Sequence, residues 1–151
     1  MNGEIALDTS VAIRYLNGDR VVVEKVLALP TVVLPLTVVG ELLFGAENSG
    51  RARQNIDRYL QFIDGCLVVP MGRETAAYYS RTRLSLKRKG RPIPGNDIWI
   101  AGQCLENGWI LATDDTDFAY VDGLAIEQGT GNREQGTGNR GKGTSVAALT
   151  L

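Results

Sequence analysis

Residues 4–7 form a short, largely apolar run that is followed at once by Asp8, Thr9 and Ser10. A run this short must be buried on both faces to be stable, so it predicts a central strand leading into a helix cap. Further strands are predicted by apolar runs at residues 31–34, 66–69, 109–113 and, at a sheet edge, 124–126. Because helical patterns separate the runs, the sequence predicts an α/β fold with a mainly parallel sheet and right-handed crossovers.

Helix boundaries are predicted from capping residues and from the spacing of apolar side chains. The patterns place helices at residues 10–16, 20–29, 38–46, 51–64, 73–89 and 97–106. The expected caps of the second, third and sixth helices are Asp19, Thr37 and Asn96. A loop with two prolines is expected at residues 90–95, and a turn with a short helix at residues 114–121.

The last part of the sequence has a different character. Residues 127–133, EQGTGNR, are repeated without change at residues 134–140. The repeat has no apolar positions that could form a coiled coil, and two copies are too few for a solenoid. Polar, glycine-rich sequence of this kind is typical of disorder. We therefore expect an ordered domain at residues 1–127 and a disordered tail at residues 128–151.

The amino-acid composition excludes several kinds of chemistry. The chain has no histidine, so carboxylates are the candidates for acid–base or metal chemistry. A net charge of −1 gives no global attraction to nucleic acid or to a membrane. Cys66 and Cys104 have no zinc spacing and are expected to be buried free thiols. The sequence shows no targeting segment and no apolar run of membrane length, which predicts a cytoplasmic protein without a membrane partner.

Four carboxylates stand out, and three of them have simple structural explanations. Asp8 can cap the helix that follows it, and Asp97 can interact with a helix dipole near its N-terminus. Asp115 lies in an acidic turn of a kind that is usually solvated. Glu41 is embedded in an apolar run, where an unpaired charge is costly, and it is not placed for a capping box.

The positions of the four acids favour a shared role. Asp8, Asp97 and Asp115 each lie at the end of a predicted strand or at the start of a predicted helix. Glu41 follows the second predicted strand by one helical turn, and in a parallel sheet these positions share one edge. Converging carboxylates repel each other and stay ionised only with cations between them, and Mg²⁺ or Mn²⁺ prefers such oxygen sites. Two ions ~3.5–4 Å apart can activate a water and stabilise the leaving oxygen of a phosphodiester. The pattern therefore predicts a metal-dependent nuclease site.

Four segments of the sequence resemble the PIN-domain family. They are LDTSVAIRYL at residues 7–16, TVVGELLFGA at 37–46, NDIWIAGQCLENGWILATDDTDF at 96–118 and VDGLAIE at 121–127. They occur in the family's order and at its spacing, and the group that they resemble is the VapC-type toxins of bacterial toxin–antitoxin pairs. The tail departs from this pattern, because members usually end soon after the last strand.

The resemblance implies a three-layer α/β/α fold and a Mg²⁺- or Mn²⁺-dependent endoribonuclease that acts on RNA. It also implies a homodimer that a small antitoxin protein holds inactive. The acids that match the family's catalytic metal site are Asp8, Glu41, Asp97 and Asp115. The residues that match its accessory positions are Asp117, Ser10, Thr113 and Asn96.

Residues 75–96 contain no acid and several basic side chains. One interpretation is a solvated helix face, which is the usual role of such a charge run. The other is a rim that contacts RNA phosphates, because an acidic site alone would repel RNA. The candidate contacts are Arg81, Lys87, Arg88 and Lys89.

Two other functions are compatible with a cluster of acids at a sheet edge. A receiver-like signalling domain also gathers acids there, but it needs an acidic pair upstream of the phosphorylated aspartate and a late lysine at a strand end. Neither is present in the sequence. A non-catalytic PIN-like scaffold would only bind a partner, and the complete set of acids argues against it.

Overall fold

The computed structural model describes residues 3–129, and within that range four strands alternate with helices. The strands are β1 (Ile5–Leu7), β2 (Val32–Val33), β3 (Ile110–Thr113) and β4 (Ala125–Gln128). The helices are α1 (Thr9–Leu16), α2 (Arg20–Leu27), α3 (Leu36–Glu47), α4 (Ala52–Asp64), α5 (Arg73–Arg88), α6 (Gly95–Asn107) and a 3₁₀ helix (Thr116–Tyr120) between β3 and β4. Residues 130–151 of the expected tail lie outside the described residues.

The four strands form one parallel sheet in the order β2-β1-β3-β4. Ile5 lies opposite Val32 on one side and Ile110 on the other, and Ile110 lies opposite Ala125. The first strand is therefore central and the last is at an edge, as predicted. Helices lie between consecutive strands and complete the three-layer α/β/α fold. The carboxyl ends of all four strands lie along one edge of the sheet.

The central strand is buried on both faces. Ile5, Ala6 and Leu7 are only 5%, 0% and 1% exposed, although successive side chains of a strand point to opposite faces. Burying a side chain such as Leu7 contributes ~1.5–3 kcal/mol relative to leaving it in water. The carboxyl end of β1, and with it Asp8, is thus anchored in the core.

The prediction of a strand at residues 66–69 is wrong. This segment makes a single parallel bridge, between Leu67 and Val33, and is otherwise irregular. The neighbouring strand β2 has two residues and is followed by Pro35 within the next two positions, so it offers little ladder for a further strand. Pro70, which has no N–H to donate, ends the segment on the other side. Cys66 in this segment is half-buried and Cys104 is buried, both as free thiols.

Two of the three predicted helix caps are also wrong. Asp19 caps α2 as expected, with its side chain accepting a hydrogen bond from the backbone N–H of Val22 at 3.3 Å. Helices α3 and α6 instead begin directly after prolines, Pro35 and Pro94, in extended conformation. Proline has no side-chain cap to offer, but its fixed φ leads the chain into the first turn.

The first N–H of α3 is capped from another helix. The buried amide of Gln103 on α6 accepts a hydrogen bond from the backbone N–H of Leu36 at 2.9 Å and donates one to the carbonyl of Val69. Thr37 and Asn96, freed from capping, lie in the first turns of their helices and face the sheet edge where the acids lie. No helix within residues 3–129 has the length and hydropathy needed to span a membrane.

Candidate active site

Four elements bring acidic side chains to one open cleft of about 1040 Å³ at the carboxyl edge of the sheet. Asp8 directly follows β1, and Asp115 follows β3 by two residues. Asp97 lies in the first turn of α6, and Glu41 lies one turn further into α3. The structure therefore brings together the four acids that the sequence placed at this edge.

Asp8 is both a helix cap and a buried member of the acid cluster. It is 6% exposed, and its carboxylate accepts hydrogen bonds from the backbone N–H of Thr9 at 2.8 Å and from Oγ1 of Thr113 at 2.6 Å. Burial raises the pKa of Asp8, and these two hydrogen bonds oppose that rise. The charges of Asp115 and Glu41 raise the same pKa further. The capping role therefore does not exclude a role in the cleft.

Glu41 is held by two side-chain donors. Its Oε1 accepts a short hydrogen bond from Oγ1 of Thr9, and its Oε2 accepts one from Nδ2 of Asn96 at 3.0 Å. These contacts join three helices, α3, α1 and α6, at the cleft. They explain why an acid is tolerated in the otherwise apolar sequence of α3, because both carboxylate oxygens have partners.

Asp97 carries the clearest electrostatic signature of the cluster. Its pKa is raised from 3.8 to about 6, first by burial and then by the negative charges of the surrounding acids. The contributing acids are Asp8, Asp115, Glu41 and Asp117. Burial is the largest cause of this shift, and the further contribution of four carboxylates shows that negative charge is concentrated in the cleft.

Asp115 and Asp117 lie in a turn that the hydroxyl of Thr113 helps to connect to the core. The backbone N–H of Asp115 donates to Oγ1 of Thr113 at 2.9 Å, and the N–H of Asp117 donates to Oδ1 of Asp115 at 2.9 Å. Asp115 lines the cleft. Asp117 does not line it, but its negative charge raises the pKa of Asp97. Ser10, an exposed residue in the first turn of α1, also lines the cleft.

The basic residues predicted to contact RNA lie on or just after α5, and none of them lines the cleft. The guanidinium of Arg81 lies 4.7 Å from the ring centre of Tyr78. Lys89 is engaged with the loop after β3, where its Nζ contacts the carboxylate of Asp122 at 2.6 Å and the carbonyl of Tyr120 at 2.7 Å. This contact gives Lys89 a structural role, and Arg81, Lys87 and Arg88 are exposed.

Sequence reasoning missed an ion-pair network at the lip of the cleft. Arg14 Nη1 donates to Asp114 Oδ2 at 2.8 Å, and its Nη2 donates to Asp19 Oδ2 at 2.7 Å. The network ties the end of α1 to the turn that holds Asp115. Its partners are 5 and 100 residues away from Arg14, so no local pattern could have revealed it. Thr9 and Phe44, which also line the cleft, were missed as well.

The donor set of the cleft suits a hard divalent cation. All candidate ligands are carboxylate oxygens, with hydroxyl and amide oxygens nearby, which is the chemistry that Mg²⁺ and Mn²⁺ select. Among residues 3–129, no three acidic side chains are oriented so that they could close on one ion. The carboxylate oxygens of Asp8 and Glu41 accept hydrogen bonds from Thr9, Thr113 and Asn96. Asp97 has the uncompensated charge that a cation would neutralise.

Comparisons with known proteins agree with this fold. Residues 5–124 match the PIN domain family model. Ribonuclease VapC5 of Mycobacterium tuberculosis is 31% identical over 122 residues, which cover 79% of this chain and 88% of that protein. The tRNA(fMet)-specific endonuclease VapC of Shigella flexneri is 33% identical over 88 residues, 58% of this chain and 67% of that protein.

Two solved structures show the same fold. DNA-bound VapBC from Salmonella typhimurium superposes with a TM-score of 0.77 at 26% identity, covering 83% of this chain and 97% of that chain. VapBC-5 from Mycobacterium tuberculosis, a member of the VapBC family of toxin–antitoxin systems, superposes with a TM-score of 0.65 at 27% identity, covering 83% and 96%. The chain belongs to the PIN-domain family. Within that family, the relatives that it resembles are VapC ribonucleases.

Proposed function

We propose that the chain is a Mg²⁺- or Mn²⁺-dependent endoribonuclease and the toxin of a toxin–antitoxin pair. The observation that carries the proposal is the open cleft at the carboxyl edge of the sheet that Asp8, Glu41, Asp97 and Asp115 line together. The raised pKa of Asp97 supports it. Within residues 3–129, none of these four acids forms an ion pair, and Arg14 at the edge of the cleft is paired with Asp114 and Asp19. Four acids without a basic partner favour cation binding. The ribonuclease relatives supply the substrate class, which is RNA.

In this proposal, the residues of the cleft have different roles in holding a cation. Thr113 and the N–H of Thr9 orient Asp8, while Asn96 and the hydroxyl of Thr9 orient Glu41. Asp97 and Asp115, which also line the cleft, supply further negative charge for a cation. A bound divalent cation would lower the pKa of a water and polarise the scissile phosphate.

Ser10 and Asp117 have accessory roles in this proposal. Ser10 is exposed at the amino end of α1, where a hydroxyl and the helix N-terminus can both interact with a phosphate oxygen. Asp117 adds negative charge and fixes the turn through its N–H bond to Asp115. Neither residue needs to bind the cation directly.

The partners are proposed from the relatives. VapBC-5 is described as a member of a family of toxin–antitoxin systems, and we extend to this chain a small antitoxin protein and a homodimeric assembly. A cytoplasmic location, expected from the sequence, is compatible with an RNA substrate and stays a prediction.

The test is incubation of the purified protein with structured and unstructured RNAs, with Mn²⁺ and with a chelator. We expect cleavage with Mn²⁺, none with the chelator, and at least a 100-fold loss in Asp97→Asn, because an amide is a neutral and poorer ligand for a hard cation. Asp57→Asn, which changes an exposed acid on α4, is the matched control. Cleavage that persists in the chelator would overturn the metal mechanism, and no cleavage under any condition would favour a non-catalytic scaffold.

A further inference from the structure

One stripe of helix α3 faces the cleft and changes from polar to apolar along its length. The stripe consists of Thr37, Gly40, Glu41 and Phe44, with the i, i+3, i+4, i+7 spacing of a single helix face. Phe44 follows Glu41 by three residues, which is ~4.5 Å along the helix axis. The acid and the aromatic ring are therefore neighbours in the same cleft.

Helix α1 repeats this arrangement on its own side. Thr9 and Ser10 line the acidic end of the cleft, and Ile13 lines it one turn further along. The cleft thus has an oxygen-rich end and an apolar end, each built from both helices. An apolar end beside a charged one indicates a ligand that has both kinds of surface.

The apolar end is open to solvent. Phe44 is 68% exposed, although it is one of the larger apolar side chains of the chain. A Cβ built on Gly40 would meet no atom within 4 Å, so the surface beside the ring is unobstructed. A planar group therefore has room to lie against Phe44.

We propose that Phe44 is a stacking platform for an unpaired base of the RNA, adjacent to the phosphate held at the acids, with Ile13 on the other helix. The inference rests on the proposed function and adds to it a residue that selects the substrate. Bases stack on aromatic side chains whatever their sequence, and a base inside a duplex has both faces covered by its neighbours. The platform therefore favours unpaired over paired RNA.

A contact with an RNA base would offset an electrostatic disadvantage of the cleft. Without a cation, the acidic end repels phosphates, so affinity for RNA needs a contact that does not depend on charge. A neutral ring about one helical turn from Glu41 supplies such a contact within the reach of one nucleotide. Its contribution should consequently be independent of salt and of metal.

The experiment measures binding of a short single-stranded RNA with 2-aminopurine placed at successive positions around the cleavage site. Binding is measured in Asp97→Asn, which prevents cleavage, and in the same protein carrying Phe44→Ala, Phe44→Leu or Phe44→Tyr. Leu27→Ala is the matched control, because Leu27 is 69% exposed and does not line the cleft. Melting temperatures confirm that each variant is folded.

We expect quenching of 2-aminopurine at one position, and loss of that quenching in Phe44→Ala and Phe44→Leu but not in Phe44→Tyr. Phe44→Ala should weaken binding at least fivefold, which is ~1 kcal/mol, with no change in the salt slope. Equal affinity in Phe44→Ala and Leu27→Ala would overturn the proposal and leave the apolar end as a surface for a protein partner. Full binding by Phe44→Leu would overturn it too, because packing rather than stacking would then suffice.

The same proteins with Asp97 restored separate this inference from the proposed function. If the wild type cleaves RNA with Mn²⁺ and Phe44→Ala cleaves it with the same KM, the stacking proposal is wrong and the proposed endoribonuclease function is supported. If Phe44→Ala raises KM for unpaired RNA with little change in kcat, both hold. If the wild type neither binds nor cleaves RNA, both are wrong.

Discussion

Thr113 donates a hydrogen bond from its hydroxyl to the carboxylate of Asp8 at 2.6 Å, across 105 residues of sequence. The same hydroxyl accepts a hydrogen bond from the backbone N–H of Asp115 at 2.9 Å. Thr113 and Asp8 are 2% and 6% exposed, so the contact is shielded from water. One buried hydroxyl therefore sets the positions of two of the four acids.

Thr113→Val should damage both stability and activity. Valine keeps the shape of threonine but removes the donor to Asp8 and the acceptor for Asp115, and a buried hydrogen bond to a charged group contributes ~1.5–3 kcal/mol. The measurement is urea unfolding at pH 7 together with RNA cleavage. Thr113→Ser, which keeps the hydroxyl, should retain most of both. If valine and serine behave alike, the hydroxyl does not organise the site.

The stability of the metal-free protein should fall between about pH 4 and pH 6 because of Asp97. Its pKa is 3.8 in the unfolded reference and about 6 in the fold, so the folded state favours the protonated carboxyl. That contribution is fully present below about pH 4 and is lost as the pH rises through about 6. Unfolding free energies of wild type and Asp97→Asn in metal-free buffer measure it. The advantage of Asp97→Asn should grow across this range, and a constant difference would show that Asp97 is not perturbed.

Much of the fold follows from sequence because its signals are local and strong. The run at residues 5–7 is too short to be stable unless both faces are buried, and both are. Parallel strands fix which end of each strand faces the ligand edge, so Asp8 and Asp115 could be placed there before the structure. Glu41 was recognisable because an acid in an apolar helix needs partners.

The remaining features depend on contacts that no local pattern contains. Gln103 caps α3 from another helix, so the signal for the start of α3 lies 67 residues away from it. The segment at residues 66–69 has the composition of a strand, but a two-residue neighbour gives it one bridge. The position of Asn96 in the sequence is typical of a helix cap, yet its side-chain amide donates a hydrogen bond to Glu41. In each case tertiary contacts override a local preference.

The basic segment should contribute to RNA binding through phosphate charge. Lys87→Ala with Arg88→Ala should weaken binding to all RNA sequences alike and reduce the salt slope by up to ~1.4, at ~0.7 per phosphate contact. Lys89 is left unchanged because it binds Asp122. Arg51→Ala with Arg53→Ala, an equal charge change at exposed residues by α4, is the control. An unchanged salt slope would support the alternative interpretation, in which the segment is only a solvated helix face.

Removal of the tail should leave stability and cleavage unaltered. The cut is placed after Gly129, because the N–H of Gly129 donates to the carbonyl of Thr113 at 3.0 Å. Residues 130–145 are polar and rich in glycine, and the short stretch VAALTL at residues 146–151 is the apolar part of the segment. Such a sequence has little apolar area to bury. Thermal melting and RNA cleavage of the full and shortened chains provide the comparison. A melting temperature several degrees lower in the shortened chain would show that the segment docks.

Convergence of the acids on one cation site is tested most directly by melting curves with chelator and with Mn²⁺ at pH 7.5. Asp97→Asn is the informative variant, because Asp8 also caps α1 and would lose stability for that reason. Relief of repulsion in Asp97→Asn should stabilise the metal-free protein by ~1 kcal/mol, which is ~2–4 °C in a domain of this size. Wild type and Asp57→Asn should gain stability from Mn²⁺, since a ligand of the native state stabilises it in proportion to its affinity.

Asp97→Asn should gain much less from Mn²⁺ than either of these proteins. We therefore expect a variant that is more stable than wild type without metal and less responsive to Mn²⁺. An Asp97→Asn protein that melts below wild type in chelator and gains as much from Mn²⁺ would contradict it, because the acids of this cleft would then be unrelated surface charges.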